Sequence, residues 1–273
     1  MAKEKEKPLT HGDVLRLIKE NGGRSVGLDL SGKQFERGID LTHLNLSGII
    51  LKEAILTDAH FEGSNLLGAN LEGAELSFAH FEGAELYFTR LNGATLWSTK
   101  FSPDTKLEDV DWGNYILGEE KNNLFNQAVA PYRQLKVWYT NAGIADIAAK
   151  FYYREKEANR KALKWYSKNW CHRLALEASY RFFGYGERWR NILLWIAVVV
   201  FGFAAAYYLW GSFSSSSFSD TLYYSAASFT ALGYGRWAPQ PLGWAKVMGA
   251  AEAFIGVSMM ALLLVTFVRK WTR

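Results

Sequence analysis

The sequence predicts a multidomain chain with three kinds of structure: a repetitive β-structure, a helical segment and an all-α membrane domain. Three observations predict it. An apolar residue recurs at every fifth position from 41 to 101, an amphipathic stretch follows, and two long apolar stretches lie near the C-terminus. The expected parts are a cap segment at 1–27, the repeat at 28–113, a helical linker at 114–187 and the membrane domain at 188–273.

The first part has a period of five residues. Beginning at Leu41, a Leu or Phe occupies every fifth position thirteen times in succession and ends at Phe101. The residue two positions earlier is usually small, as at Ala54, Ala59 and Ser64. A period of five fits neither the 3.6-residue period of an amphipathic helix nor the two-residue period of a strand. Neither an ordinary helix nor an ordinary sheet therefore explains this region.

This spacing resembles the pentapeptide-repeat family over about residues 30–105. The resemblance implies a right-handed quadrilateral β-helix, in which each pentapeptide forms one side of a coil and the Leu or Phe points into a narrow core. Residues twenty apart then stack, so that Phe61 lies beneath Phe81 and His60 lies about one strand spacing, 4.8 Å, from His80. Because one histidine pair lacks the third and fourth ligands that metals require, we expect no metal site there.

The five-residue register breaks at both ends of the repeat. Leu30 and Phe35 stand one residue out of phase with Leu41, and Lys106 occupies a position where a Leu is due. Solenoids need atypical terminal repeats that shield the core from water. We therefore interpret the two breaks as marks of the caps of the repeat.

The next segment reads as a pair of helices. Two amphipathic stretches, 127–141 and 144–165, are separated by Gly143, which predicts an antiparallel hairpin. Its aromatic residues suit a packed core better than a peptide-binding face.

Residues 150–190 contain eleven Lys or Arg against four Glu. This basic excess favours contact with anionic lipids, although a linker that only fixes the membrane topology explains it as well. The single cysteine, Cys171, excludes a disulfide within the chain.

Two apolar stretches are long enough to cross a bilayer. The first span is expected at 191–210, which contains no charge, and the second at 242–268, with Glu252 as the only ionisable residue deep inside it. Arg188 and Arg190 precede the first span, and three basic residues follow the second. The positive-inside rule therefore places both termini in the cytoplasm. Since the N-terminal residues lack the apolar core of a signal peptide, we expect an integral protein of a plasma membrane, the inner membrane of a bacterium.

A shorter segment between the two spans ends in Gly233-Tyr234-Gly235. Residues 220–230 predict a helix of about 16 Å, capped by Ser219 and Asp220. Glycines permit backbone conformations in which successive carbonyl groups point the same way, and a stack of such carbonyls replaces the hydration shell of a cation. The helix is expected to enter the membrane partway, and the strand after it to return to the surface.

Residues 191–273 resemble the two-transmembrane potassium-channel family in this order of span, re-entrant pore helix, filter and span. The resemblance implies a homotetrameric ion channel, in which four chains build one filter and K⁺ or another monovalent cation passes through it without any cofactor. Tyr223 and Tyr224 match the aromatic pair that the family packs around its filter. The implied ion-binding residues are Thr230, Ala231, Leu232, Gly233, Tyr234 and Gly235.

Three positions depart from the pattern of that family. Ala231 stands where the family has a Thr whose hydroxyl lines the innermost ion site, so that ring loses four oxygens. Leu232 replaces a Val, which matters little because the carbonyl is the ligand. Arg236 stands at the outer mouth where an Asp is usual, and it repels incoming cations unless Asp220 pairs with it. Strong potassium selectivity and weak cation selectivity both stay open.

The second span contains two candidates for gating. An ionisable residue inside a membrane is a functional-site candidate, and Glu252 has two plausible positions. It either faces a water-filled cavity and attracts cations, or lies behind the filter and hydrogen-bonds to Ser228, Thr230 or a tyrosine. We favour the second position. Gly256 lies close to the place where the family often has a hinge glycine.

Other classes of function fit the sequence less well. A membrane-anchored interaction protein that mimics DNA needs a strongly acidic repeat, but residues 30–103 hold nine acidic and five basic residues. An enzyme needs a nucleophile with its base, a phosphate loop or a metal cluster, and the sequence shows no such motif. We therefore expect neither an enzyme nor a nucleic-acid partner, no metal outside the filter, and a cytoplasmic repeat and helical domain that assemble or gate the pore.

Overall fold

The computed structural model describes residues 7–163, 173–174, 176–177, 180–181, 189–210, 217–233, 240–241 and 243–271. The chain forms two compact units, Met1–Trp170 and Cys171–Arg273. The described helices that follow the repeat, in the first part of the predicted linker at 114–187, belong to the first unit.

The first unit is a stack of coils held together by parallel bridges between residues twenty apart. Such bridges join Asp40 to His60, His60 to His80 and His80 to Lys100. At each level the backbone closes the same pair of hydrogen bonds, as where the Leu41 amide donates to the His60 carbonyl at 2.8 Å. Within the described part of this unit the bridges are isolated rather than joined into strands, because each pentapeptide turns again after a single bridging residue.

The core of the stack consists of the recurring Leu or Phe and the small residue two positions before it, all of them buried from Ala54 to Leu96. The Phe61 and Phe81 rings lie parallel with centroids 4.8 Å apart, and the Phe81 and Phe101 rings follow at 5.6 Å. The predicted inward column of phenylalanines is therefore present. The His60 and His80 rings lie 4.6 Å apart on the outside of the same coils.

The two register breaks lie in the first and the last coils that the structure describes, where the caps were expected. Asp29 pairs with Ile50, and Glu85 pairs with Lys106, in each case twenty-one residues apart. A coil with one extra residue restores the alignment with its neighbour. Past the second break, the fully buried Leu107 takes the inward place that Lys106 does not fill.

Helices close both ends of this unit. Helix α1 (His11–Glu20) begins with a capping box between Thr10 and Asp13 and buries Val14. At the other end lie α2 (Gly118–Lys121), α3 (Phe125–Asn141) and α4 (Ala145–Ala162). The α3–α4 pair shares one continuous core with the coils. The hairpin predicted for the linker is therefore the C-terminal cap of the repeat.

Aromatic residues form the seal between hairpin and coils. The Phe151 ring meets the Trp112 ring edge-on at 5.2 Å. The Tyr139 hydroxyl donates to the Leu107 carbonyl at 2.7 Å and accepts a hydrogen bond from the Trp112 indole nitrogen at 2.7 Å. The hydroxyl group of Tyr139 and the indole N–H of Trp112 thus both have hydrogen-bond partners inside an apolar contact. Buried hydroxyl and indole groups usually have such partners.

The helices of the second unit whose bounds the structure describes are α5 (Trp189–Leu209), α6 (Phe218–Thr230) and α7 (Trp244–Trp271). Helices α5 and α7 are long and apolar enough to cross a membrane, over Arg190–Leu209 and Trp244–Val268. Only 17% of each of these stretches is buried within the structure, whereas the core helix of a soluble protein is mostly buried. Both predicted spans are thus helical, and the short helix between them is present.

Helix α6 begins two residues earlier than predicted. Its N-cap is Ser217, whose backbone amide donates to the Asp220 carboxylate at 3.0 Å while its hydroxyl accepts from the Asp220 amide. Asp220 is therefore the third residue of the helix rather than its cap. A Ser followed three residues later by an acidic residue forms a reciprocal capping box, and this pair takes precedence over the adjacent Ser219.

Candidate functional site

The chain leaves α6 through residues with unusual backbone conformations. Thr230 ends the helix, and its hydroxyl donates back to the Ala226 carbonyl at 2.7 Å. Ala231 then adopts a left-handed conformation with φ of 53°, and Gly233 has φ of 90°. Positive φ values turn the chain sharply and favour glycine. The predicted filter thus begins with an abrupt turn out of the helix, while Tyr234, Gly235 and Arg236 lie outside the described residues.

The Leu232 side chain, between the two turning residues, is 85% exposed in the single chain. Leu232 does not belong to the apolar cluster packed among α5, α6 and α7. That cluster consists of Tyr207, Tyr224 and Ala245 with two partly buried neighbours. A large apolar side chain with this much exposed surface is expected to contact lipid or another chain.

Glu252 is fully buried at the meeting point of the three helices. Its Oε2 accepts a hydrogen bond from the Tyr207 hydroxyl of α5 at 2.8 Å, and its Oε1 lies within hydrogen-bonding distance of the Ser225 hydroxyl of α6. The Ser225 hydroxyl also lies 2.8 Å from the Val200 carbonyl of α5. One carboxylate on α7 therefore links both other helices of the unit.

Tyr224, the second tyrosine of the predicted aromatic pair, contributes to the same region. It is buried, and its ring meets the Tyr207 ring edge-on with centroids 5.2 Å apart. Its hydroxyl reaches the Ala245 carbonyl of α7 at 3.4 Å. Tyr223, the first of the pair, is 44% exposed. The two tyrosines therefore occupy different environments on α6.

Gly256 lies against the last turn of α6. A Cβ atom built on Gly256 overlaps the carbonyl group of Phe229, one residue before Thr230. The glycine therefore permits the backbones of α6 and α7 to approach directly, as small residues do at helix contacts in membranes. This contact gives Gly256 a packing function next to the predicted filter.

The structure brings together residues that were predicted as separate candidates from the sequence. Glu252 and Gly256 both lie where α7 meets α6, the latter against the residue before Thr230, and Asp220 takes part in the cap at the far end of α6. Ser225 and Phe229 were not among the predicted site residues. The sequence provided little indication of Ser225, because a single hydroxyl group on an apolar helix is common. Phe229 contributes its backbone carbonyl, which no sequence pattern reveals.

Two family matches define what kind of protein this is. Residues 194–273 match the ion channel family. Residues 37–73 and 59–98 match the pentapeptide repeats, in eight copies. Both resemblances predicted from the sequence are confirmed: the chain joins a pentapeptide-repeat domain to a pore domain of the two-transmembrane channel type. It is an integral membrane protein with an ion channel domain.

Several solved structures similar to this chain are pentapeptide-repeat proteins. One is a protein of the thylakoid lumen of Arabidopsis thaliana, with 24% identity and a TM-score of 0.24, covering 38% of this chain and 78% of that one. Rfr23 from the cyanobacterium Cyanothece 51142 has 31% identity and a TM-score of 0.19, covering 31% and 60%. HetL from Nostoc has 27% identity and a TM-score of 0.21, covering 32% and 43%. A comparison with curated proteins finds no match.

Proposed function

We propose that this protein is a homotetrameric, potassium-selective cation channel that conducts through the backbone carbonyls of residues 230–235. The observation that carries the proposal is the match of residues 194–273 to the ion channel family, together with a capped helix between two apolar helices. Four chains are needed because one chain supplies only one wall of a carbonyl ring. Asp220 and Arg236 stand at the outer mouth in this arrangement.

The hydrogen bonds of Glu252 support a positioning function for this residue. Tyr207 and Ser225 fix the carboxylate against α5 and α6, so that α7 cannot slide along α6 without breaking them. A channel filter must hold its carbonyl groups in place while ions pass, and a rigid contact behind the pore helix serves that need. In our proposal, Glu252 and the close contact at Gly256 set the position of the filter relative to α7, which carries the gate.

The repeat domain has a separate function in this proposal. We take its coils as a right-handed quadrilateral β-helix, supported by the twenty-residue bridges, and we place it in the cytoplasm, where it assembles or gates the pore. The basic residues between 150 and 190 then lie near the inner membrane surface and attract anionic lipids.

Reconstitution of the purified protein into liposomes tests conduction and selectivity together. With potassium on one side and an equal concentration of sodium on the other, each tenfold preference for potassium displaces the reversal potential by about 59 mV. A displacement of that size or more supports potassium selectivity. A reversal potential near zero, with clear currents, supports the second candidate function, a weakly selective cation channel.

Weak selectivity is a serious candidate because of Ala231, which has no side-chain oxygen to offer the innermost ion site. The substitution Ala231→Thr restores the missing hydroxyl and should raise the preference for potassium. Arg236→Asp should instead raise conductance at low salt, since four arginines at ~10 Å oppose cation entry by about 1–2 kcal/mol before screening. Absence of any current in the wild-type protein would support the third reading, a membrane-anchored interaction protein.

A further inference from the structure

The same pentapeptide, Ala-His-Phe-Glu-Gly, occurs at residues 59–63 and 79–83. Because these stretches are twenty residues apart, they lie directly above each other in consecutive coils, joined by the bridge between His60 and His80. The phenylalanines between them point inward and are fully buried. The two histidines and the two glutamates are therefore left together on the outer surface of the repeat.

The ligating atoms of these side chains converge. His60 Nδ1 lies 2.9 Å from Glu62 Oε1, and His80 Nδ1 lies 3.5 Å from the same oxygen. His80 Nδ1 also lies 3.8 Å from Glu82 Oε2. Glu62 thus stands between the two coils and contacts the histidines of both.

These separations match the geometry of a metal centre. In a four-coordinate zinc site with metal–ligand distances near 2.0–2.2 Å, neighbouring ligand atoms lie about 3.3 Å apart. The three distances in the cluster bracket that value. The ligand atoms of His60, Glu62 and His80 all fall within 4.8 Å of one another, so small side-chain rotations bring them onto one ion.

A second observation supports a cation-binding function for this cluster. Glu62 Oε2 and Glu82 Oε2 are both shielded from solvent, and neither has a hydrogen-bond donor among the residues that the structure describes. A shielded carboxylate oxygen without a donor is costly. A bound cation provides the missing partner for both oxygens.

We propose that His60, Glu62, His80 and Glu82 bind one divalent transition-metal ion of the zinc type. Two imidazoles with carboxylates are a common ligand set for zinc, whereas Ca²⁺ and Mg²⁺ prefer oxygen ligands alone. The two carboxylates balance the charge of the ion. The expectation of no metal site counted only the histidine pair. In this proposal Glu62 supplies the third ligand, and Glu82, whose Oε2 lies 3.8 Å from His80 Nδ1, supplies the fourth after its side chain rotates.

The neighbours in the column set the limits of the site. Asp40 pairs with His60 from the coil below, and Lys100 pairs with His80 from the coil above. The Asp40 carboxylate already accepts the Thr42 amide at 3.0 Å. A lysine above the site repels a metal ion, so the site spans two coils and does not extend into a third. The ion therefore ties one coil to the next.

The test uses the full-length, tag-free protein in detergent, stripped with a chelator that is then removed. Zn²⁺ binding is measured by calorimetry, and Co²⁺ is used as an absorbing substitute that reports tetrahedral coordination. The wild-type protein should bind one ion per chain in this cluster. Glu62→Gln, which keeps the shape of the side chain, should weaken that binding at least tenfold, and the double variant His60→Ala/His80→Ala should remove it.

The matched control is His43→Asn. His43 is an exposed histidine one coil below, next to Gly63, and its φ of 56° is one that Asn tolerates. It should bind zinc as the wild-type protein does. Far-UV circular dichroism verifies that each variant is folded. If the wild-type protein binds no ion, or if folded Glu62→Gln and the double variant bind the same number of ions with the same affinity as the wild-type protein, the proposal is overturned.

Discussion

The two compact units bury their side chains in opposite ways. In the repeat unit, large apolar residues such as Phe61 and Phe81 are fully enclosed within one chain. In the membrane unit, Trp244 and Phe254 are 79% and 77% exposed, while the ionisable residue Glu252 is fully buried. Water drives apolar side chains inward, but lipid does not, so in a membrane the polar groups are the ones that need internal partners.

Each unit contains a glutamate with no exposed surface, Glu119 in the repeat unit and Glu252 in the membrane unit, and the two carboxyl groups have different partners. Glu252 has a hydroxyl partner for each oxygen. Glu119, in the repeat unit, accepts a hydrogen bond from the Leu96 amide through Oε1 at 2.6 Å, whereas its Oε2 has no partner among the described residues. Burial raises the pKa of Glu119 to about 7, although the backbone hydrogen bonds act in the opposite direction. Burial therefore makes the stability of the repeat unit depend on the protonation of Glu119.

The largest expected effect is in the core of the repeat. Phe81→Ala removes a ring stacked between Phe61 and Phe101 and should lower the stability of this unit by about 3–5 kcal/mol. Hydrogen exchange of peptides from the repeat in the full-length protein measures the loss. Phe88→Asn is the control, because Phe88 is 62% exposed and has a positive φ. Equal exchange in the two variants would contradict the enclosed core.

The next effect depends on pH. Between its ordinary value of 4.5 and about 7, the folded protein holds a proton on Glu119 that the unfolded chain has lost. Stability from this group is therefore complete at low pH and is lost as pH rises, by up to about 3 kcal/mol. Glu119→Gln should gain stability over the wild-type protein at pH 8 but not at pH 5. Hydrogen exchange around Leu96, compared at each pH, measures this difference, and an equal gain at both pH values contradicts the assignment.

The contact at Gly256 tests packing in the membrane unit. Gly256→Ala places a Cβ against the Phe229 carbonyl and should destabilise the unit by about 1–3 kcal/mol, with reduced currents in liposomes. Gly202→Ala is the matched control, since Gly202 is also helical and a Cβ there has no neighbour within 4 Å. Thermal unfolding in detergent and conductance should both distinguish the two variants; identical behaviour argues against the close approach.

The smallest expected effect is the loss of one hydrogen bond to Glu252. Tyr207→Phe removes the hydroxyl that donates to Oε2 and should cost about 1 kcal/mol, while the ring still packs on Tyr224. Tyr208→Phe is the control, because Tyr208 is 51% exposed. Thermal unfolding in detergent should order the two variants, and a larger loss for Tyr208→Phe would show that Glu252 does not depend on its tyrosine.

The repeat was largely predictable because its order is local. A spacing of twenty residues was enough to place Phe61 under Phe81 and His60 beside His80, and those neighbours are observed. The sequence did not reveal how the breaks are accommodated, because only the bridges show that each break is a coil of twenty-one residues. The prediction also treated the α3–α4 hairpin as a linker, because nothing in an amphipathic pattern says which surface the apolar face covers.

The membrane unit was predictable in its elements and not in its contacts. The length of the two apolar stretches predicted the two spans, and the residues between them predicted the short helix. The capping box at Ser217 moved the start of that helix by two residues. The partners of Glu252 depend on how α5, α6 and α7 are rotated about their axes, so the sequence indicated a tyrosine among several hydroxyl groups and did not indicate Ser225.

The sequence by itself determined the five-residue repeat, the two spans and the presence of one carboxyl group deep in the second span, because periodicity and apolar length are properties of a linear chain. Only the tertiary structure decided that Glu252 joins three helices, that Gly256 meets the Phe229 carbonyl, and that Glu62 lies between His60 and His80. These contacts depend on the rotation and stacking of whole elements, which packing decides and linear order does not.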